Sequence, residues 1–170
     1  MSMSSNANKP VSTGQAWLLA ARPKTLFAAA APVVTGTALA YYEGGLHWPS
    51  AVCALLVSLL LQIGANVAND YFDYKSGADQ GERLGPARVT QSGYLDPDDV
   101  KRGMIMTFAI AALIGFYLIY RGGIWVAAVG AVSILAALAY TAGPYPLAYN
   151  GLGEVFVFFS CGLVATLGPV

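Results

Sequence analysis

Charge is scarce in this chain. Asp, Glu, Lys and Arg make up 11% of its 170 residues, and nine acids balance nine bases to a formal net charge of zero. A soluble domain carries about a quarter charged residues, so this composition argues against one. The zero balance offers no electrostatic reason to expect nucleic acid as a partner. Cysteine is nearly absent too. Cys53 and Cys161 both sit in apolar segments and read as small buried hydrophobes, which leaves no support for a disulfide or a thiolate metal site. The single histidine, His47, stands next to Trp48 and reads as a headgroup-level residue rather than a ligand. The start of the chain, "MSMSSNANKPVSTGQ", has no apolar run, and a secretory signal peptide needs one. Residues 1–15 therefore read as a disordered tail.

Apolar residues are what the chain has in excess: 56% of the total, with a mean hydropathy of +0.57. A membrane-spanning helix needs ~20 mostly apolar residues. Thr25–Tyr42 and Trp48–Asn69 each satisfy this, the second without a single charge. Gly103–Tyr120 and Gly122–Tyr140 follow, split by Arg121 and a glycine pair. A fifth run starts near Gly153 and is apolar from Val155 to Val170, where the sequence stops. The expectation is an all-α, polytopic bundle of about five transmembrane helices in one domain, residues 16–170, that ends inside a membrane segment. A short final helix is the alternative for the last run. "WLLAARPKT" reads as a short interfacial helix leading to the first span, with Trp17 and Arg22 at headgroup level.

Lys and Arg set the orientation. With the N-terminus in the cytoplasm, Lys9, Arg22, Lys24, Lys75, Arg83, Arg88, Lys101 and Arg102 all fall on the cytoplasmic side, and Arg121 alone falls opposite. The loop from Tyr74 to about Pro97 is then cytoplasmic, as is the turn Ala142–Gly151.

The second apolar run leads straight into "NVANDYFDYKSGAD". Asn66, Asp70 and Asp73 share one helical stripe, Gln62 extends it by a turn, and Asn69 lies beside it. Acids one turn apart repel, the C-terminal end of a helix disfavours them, and a carboxylate near the bilayer boundary is costly when unpaired. A divalent cation reverses all three penalties. Mg²⁺ takes one or two carboxylates together with substrate phosphates, so the spacing suggests a Mg²⁺–phosphate site facing the cytoplasm. The simpler reading is a solvated helix end whose acids pair with Lys75, Arg83 and Arg88. It accounts poorly for a polar stripe that continues into the apolar span. Arg88, in "GPARVTQSG", suits bidentate contact with phosphate, or else a lipid headgroup. Lys24 could meet phosphate as a point charge. The glycines and proline between Gly77 and Gly93 rule out one continuous helix and suit a lid.

Four stretches in order, "WLLAARPKTL", "NVANDYFDYKSGAD", "GPARVTQSG" and "YTAGPYPLAYNGLGE", together resemble the UbiA superfamily of intramembrane prenyltransferases over about residues 15–170. The acidic motif is the superfamily's, and "DYKSGAD" with "RVTQSG" is most similar to the 1,4-dihydroxy-2-naphthoate polyprenyltransferase branch of quinone (menaquinone or phylloquinone) synthesis. The resemblance implies about nine helices around a central cavity and two acidic motifs that hold Mg²⁺ and the diphosphate of a prenyl donor. It maps Asn66, Asp70 and Asp73 to the first set of metal ligands, with Asn69 and Asp79 nearby and Asp70 and Asp73 central to catalysis. Other branches often carry a further Asp where this chain has Gly77, which leaves Asp79 as a candidate substitute. The second motif is missing, since Glu154 is the sole acid after Asp99; the chain matches the N-terminal half. By the same resemblance, Arg22 would anchor the diphosphate or the acceptor's carboxylate, and Tyr140 and Tyr145 would face the allylic cation or the ring, or else serve as interfacial belt aromatics. The implied setting is a bacterial cytoplasmic membrane with the site facing the cytoplasm. A homogentisate or chlorophyllide prenyltransferase is the alternative branch, an inactive truncated membrane protein a second alternative, and a transporter a third. Transport predicts charges in mid-span, whereas these acids sit at one helix end.

Overall fold

The computed structural model describes residues 11–76 and 88–128, with 130–132 and 135 beyond them. Four helices carry it: α1 (Thr13–Ala21), α2 (Pro23–Tyr42), α3 (Trp48–Ser76) and α4 (Pro97–Gly122). Residues 124–128 are helical again, and no strand occurs among the described residues. The all-helical expectation holds. α2, α3 and α4 are long and apolar enough to cross a membrane. The expected span Gly122–Tyr140 is described only in part. The fifth span, the 142–151 turn, Asp79, Arg83, Tyr140 and Tyr145 lie outside the described residues, as do residues 1–10.

The boundaries follow from local chemistry. Ser12 and Gln15 form a reciprocal capping box, so α1 opens at Thr13. Helix thus begins inside the stretch assigned to the tail, because that cap satisfies two helix-end N–H groups. "WLLAARPKT" is not one helix either. Pro23 keeps Arg22 out of the right-handed helical region, and Arg22 adopts a left-handed conformation (φ 49°, ψ 69°) that ends α1 and opens α2. It is the sole non-glycine residue with positive φ among those described, and such strain costs roughly 1–3 kcal/mol. At the start of α4, Asp96 accepts from the Asp98 N–H at 2.9 Å and Pro97 takes the first turn.

α3 runs past Asn69 to Ser76, so the following loop starts later than the sequence suggests. At a 1.5 Å rise per residue its 29 residues measure roughly 43 Å, longer than the ~30 Å hydrocarbon core. Asp70 then lies roughly 33 Å beyond Trp48, at the edge of that core.

α3 packs against α1, α2 and α4. The core gathers at the acidic end: Ala16 and Ala20 of α1, Val67 and Ala68 of α3, Val100 and Met104 of α4, and Val89 and Leu95 of the connection between them. Elsewhere the large apolar side chains face outward, Phe27, Val34, Leu113 and Phe116 among them, as helices in lipid present them. Two glycines let the elements approach. A Cβ on Gly64 would stand 2.8 Å from the Phe108 ring, and one on Gly103 would stand 2.3 Å from the Trp17 indole. Gly103→Ala should therefore overpack the α1–α4 seat and cost about 1–3 kcal/mol. The measurement is thermal unfolding in detergent, with Trp17→Leu restoring the midpoint in the Gly103→Ala chain. An unchanged midpoint in Gly103→Ala alone would show that Trp17 is not seated there.

Candidate functional site

Two carboxylates anchor the site, and both are buried. Asp70 and Asp73 are each 2% exposed on the last turns of α3. Burying a charge is expensive unless it is paired, so their partners define the chemistry. The turn at 88–95 supplies two of them. Thr90 donates to Asp70 Oδ2 twice, from its backbone N–H at 3.1 Å and its hydroxyl at 2.5 Å. Arg88 forms an ion pair with Asp73 Oδ2 through its Nη1. The same guanidinium nitrogen donates to the Asn69 carbonyl at 3.3 Å. Between these two polar residues, Val89 is 1% exposed and plugs into the core. Its carbonyl accepts from the N–H groups of Tyr94 and Leu95, and the Arg88 carbonyl accepts from Ser92, so the turn is tightly closed.

The helix elbow supplies the rest. Asn69, with its amide turned as its neighbours require, donates to Asp73 Oδ2 at 2.7 Å and accepts from Arg22 at 3.2 Å. Arg22, Asn69, Asp73 and Arg88 thus form one continuous polar chain across α3. Asn66 is buried as well, but its amide points elsewhere. Its Nδ2 donates to the Ala21 carbonyl and to Thr25 Oγ1, both at 2.8 Å. Gln62 approaches Thr25 Oγ1 and Asn66 Oδ1 at 3.4 and 3.5 Å.

The structure therefore brings together Asn66, Asn69, Asp70, Asp73, Arg22 and Arg88. Lys24 is exposed, and among the described residues no hydrogen bond or ion pair joins it to the acids. Lys75 is exposed too. Thr90 and Thr25 join the site without having been singled out from the sequence. Thr90 had a signal, because "RVT" places two polar residues around one apolar residue, the pattern of a strap held on both sides. Thr25 had none beyond its place at the start of a span.

The metal fit rests on one atom. Among the described residues Asp70 Oδ1 takes no hydrogen bond, although its residue is buried. A buried carboxylate oxygen that faces no donor among the described residues offers a position for a cation. No group of three or more Asp, Glu, His or Cys side chains that could hold a metal occurs among the described residues. One or two carboxylates with substrate phosphates suffice for Mg²⁺, so Asp70 with Asp73 fits a site completed by the substrate. A separate apolar cavity of about 410 Å³ lies between α1, α3 and α4, walled by Trp17, Ile63, Val67, Leu95, Met106 and Ile110. Asp99 and Arg102 also line it, whereas Asp70 and Asp73 do not.

Known proteins resemble this chain in sequence over most of its length. The model of the UbiA prenyltransferase family matches residues 29–170. The chain belongs to this family. It is 38% identical over 164 residues to 1,4-dihydroxy-2-naphthoate octaprenyltransferase of Escherichia coli, covering 93% of this chain and 53% of that protein. The protein of the same name from Mycobacterium tuberculosis is 42% identical over 152 residues, covering 89% and 52%. That of Bacillus subtilis is 32% identical over 156 residues, covering 92% and 50%. The chain spans about half the length of these relatives. No solved structure matches it. Family membership and three membrane-length helices make this an integral membrane protein.

Proposed function

We propose that the protein carries the prenyl-transfer site of an enzyme that moves a polyprenyl group from prenyl diphosphate to 1,4-dihydroxy-2-naphthoate, releasing CO₂ and giving a demethylmenaquinone-type product in its hydroquinone form. The observation that carries the reading is the buried Asp70–Asp73 pair, with an oxygen on Asp70 that meets no donor among the described residues and two guanidinium groups beside the pair. The relatives' shared name supplies the acceptor.

In this reading Asp70 and Asp73 hold Mg²⁺, which when bound contributes positive charge against the donor's phosphates. Arg88 and Arg22 flank the acids and meet the charge that gathers on the departing diphosphate as its C–O bond breaks. The electron-rich ring carbon that bears the carboxylate forms the new C–C bond, and the carboxylate leaves as CO₂ as the ring regains aromaticity. Apolar surroundings keep water from the allylic cation. Lys24 remains a candidate phosphate contact by its place at the mouth of the first span, and on the resemblance Asp79 remains a candidate metal ligand and Tyr145 a candidate substrate contact. The setting we propose is a bacterial cytoplasmic membrane with the site facing the cytoplasm. Cysteines placed at Gly85 and Gly123 should then label from opposite sides, and labelling of Gly85 from the outside would overturn the orientation.

The test of function uses membranes containing the full-length protein, an allylic polyprenyl diphosphate and carboxyl-labelled 1,4-dihydroxy-2-naphthoate. The label should leave as CO₂ and be absent from the prenylated product. A product that keeps the label overturns the reaction as written. Turnover with homogentisate and none with the naphthoate would move the protein to another branch of the family.

A further inference from the structure

Among the chain's polar residues, Asn66 has an orientation that its neighbours fix without ambiguity. The Ala21 carbonyl can only accept a hydrogen bond, so the atom facing it at 2.8 Å must be the amide nitrogen. The second N–H goes to Thr25 Oγ1, also at 2.8 Å. The Thr25 hydroxyl in turn donates a hydrogen bond to the Arg22 carbonyl at 2.9 Å. The Asn66 oxygen is thereby turned toward Gln62, at 3.5 Å.

These bonds all converge on one place, the elbow between α1 and α2. A helix end leaves its last carbonyls without partners. Here Pro23 has no N–H to offer, and the Thr25 N–H is already used by the Arg22 carbonyl at 2.9 Å. Asn66, 45 residues away on α3, satisfies the Ala21 carbonyl instead. The elbow residue it braces is Arg22, held in the left-handed region that a non-glycine residue occupies only when its surroundings impose it. From that backbone the Arg22 side chain reaches Asn69, which in turn donates to Asp73.

We propose that Asn66 serves the reaction as a positioning residue: its amide locks the α1–α2 elbow in the left-handed form that aims Arg22 at Asn69 and the acid pair. The assignment rests on the prenyl-transfer reading of that pair, and it differs from the ligand role that the acidic motif's pattern suggests for this position. A ligand would need its oxygen turned to the cation, whereas a clamp needs its two N–H groups.

Asp at this position separates the two roles. It keeps an oxygen and adds charge, but it loses both donors and sets an anion against the Ala21 carbonyl. The experiment uses the full-length protein in detergent. The first readout is hydrogen exchange of backbone amides over residues 13–26, without metal or substrate. Asn66→Asp should speed exchange there by about tenfold or more, while Asp70→Asn leaves it as in wild type. In turnover, Asn66→Asp should lower kcat with little change in the Mg²⁺ concentration giving half-maximal rate. Thr25→Val should do the same, and the double variant should add little to either. In an Arg22→Gln background, Asn66→Asp should lower kcat no further, which a general loss of packing would not reproduce. Wild-type exchange in Asn66→Asp, with the Mg²⁺ half-saturation shifted instead, makes Asn66 a ligand and overturns the proposal. If Asn66→Asp does not accumulate in membranes, Thr25→Val decides, and unchanged exchange with unchanged kcat overturns it. Full activity in Asp70→Asn would sink the reading of the acid pair, yet the exchange result would still decide the clamp.

Discussion

Asp70→Asn in the full-length protein should reduce prenyl transfer on the order of 10³-fold or more, about 4 kcal/mol of transition-state stabilisation. The reason is the open oxygen. Asp70 Oδ2 is occupied by Thr90, and Oδ1 is left facing no donor among the described residues. An Asn side chain can keep its oxygen toward Thr90 and so preserve both hydrogen bonds. It then turns an NH₂ group toward the space where a cation belongs, and the negative charge is gone. Mg²⁺ demands near-octahedral oxygen geometry and uses few protein ligands, so the loss of one carboxylate is not made up elsewhere. Stability should change little, because the hydrogen bonds remain and a buried charge is removed. If the acids served only to pair with bases, the same variant would leave activity largely intact. Turnover at varied Mg²⁺, normalised to membrane-inserted protein, decides between these outcomes. Near-normal turnover in Asp70→Asn would end the metal-site reading.

Arg88→Met should have the largest effect on stability. The Arg88 side chain is 11% exposed and its partner Asp73 only 2%. Two charges at that depth are not a surface pair. Taking away the guanidinium leaves a carboxylate buried without the cation that faces it, a change that costs about 3 kcal/mol or more. It also releases the strap, since Arg88 and Thr90 fasten the 88–95 turn to α3 from either side of Val89. Thermal unfolding in detergent should show a lowered midpoint. The double change Arg88→Met with Asp73→Leu should recover much of the loss, because the buried carboxylate that lost its guanidinium is then gone as well. Saturating Mg²⁺ should also raise the midpoint of Arg88→Met, if a cation takes the position the guanidinium left. An unaltered midpoint in Arg88→Met would show that the pair contributes nothing at this depth and that the strap holds without it.

The sequence by itself determined the fold class, the three spans that the described residues contain and the acid stripe. Long uncharged runs have few stable fates other than membrane helices, and the helical period alone places Asn66, Asp70 and Asp73 on one line. Pro23, Pro97 and Asp96 mark helix starts through chemistry that acts within a few residues. The motifs likewise carried the family, which the match over residues 29–170 shows. What the sequence did not determine was the division of labour within the stripe. Its three residues look equivalent when read along one helix. In the folded chain Asp70 meets Thr90, Asp73 meets Arg88 and Asn69, and Asn66 turns to Ala21 and Thr25 on a different pair of helices. Each of these partners lies 15 to 45 residues away, apart from Asn69. Hydrogen bonds are short-ranged and directional, so which donor reaches which oxygen is decided only when the helices pack. Packing also decided that the acids are buried. On sequence they stand at the polar end of a span, but Val89 and Leu95 fold back over α3 and close the water out.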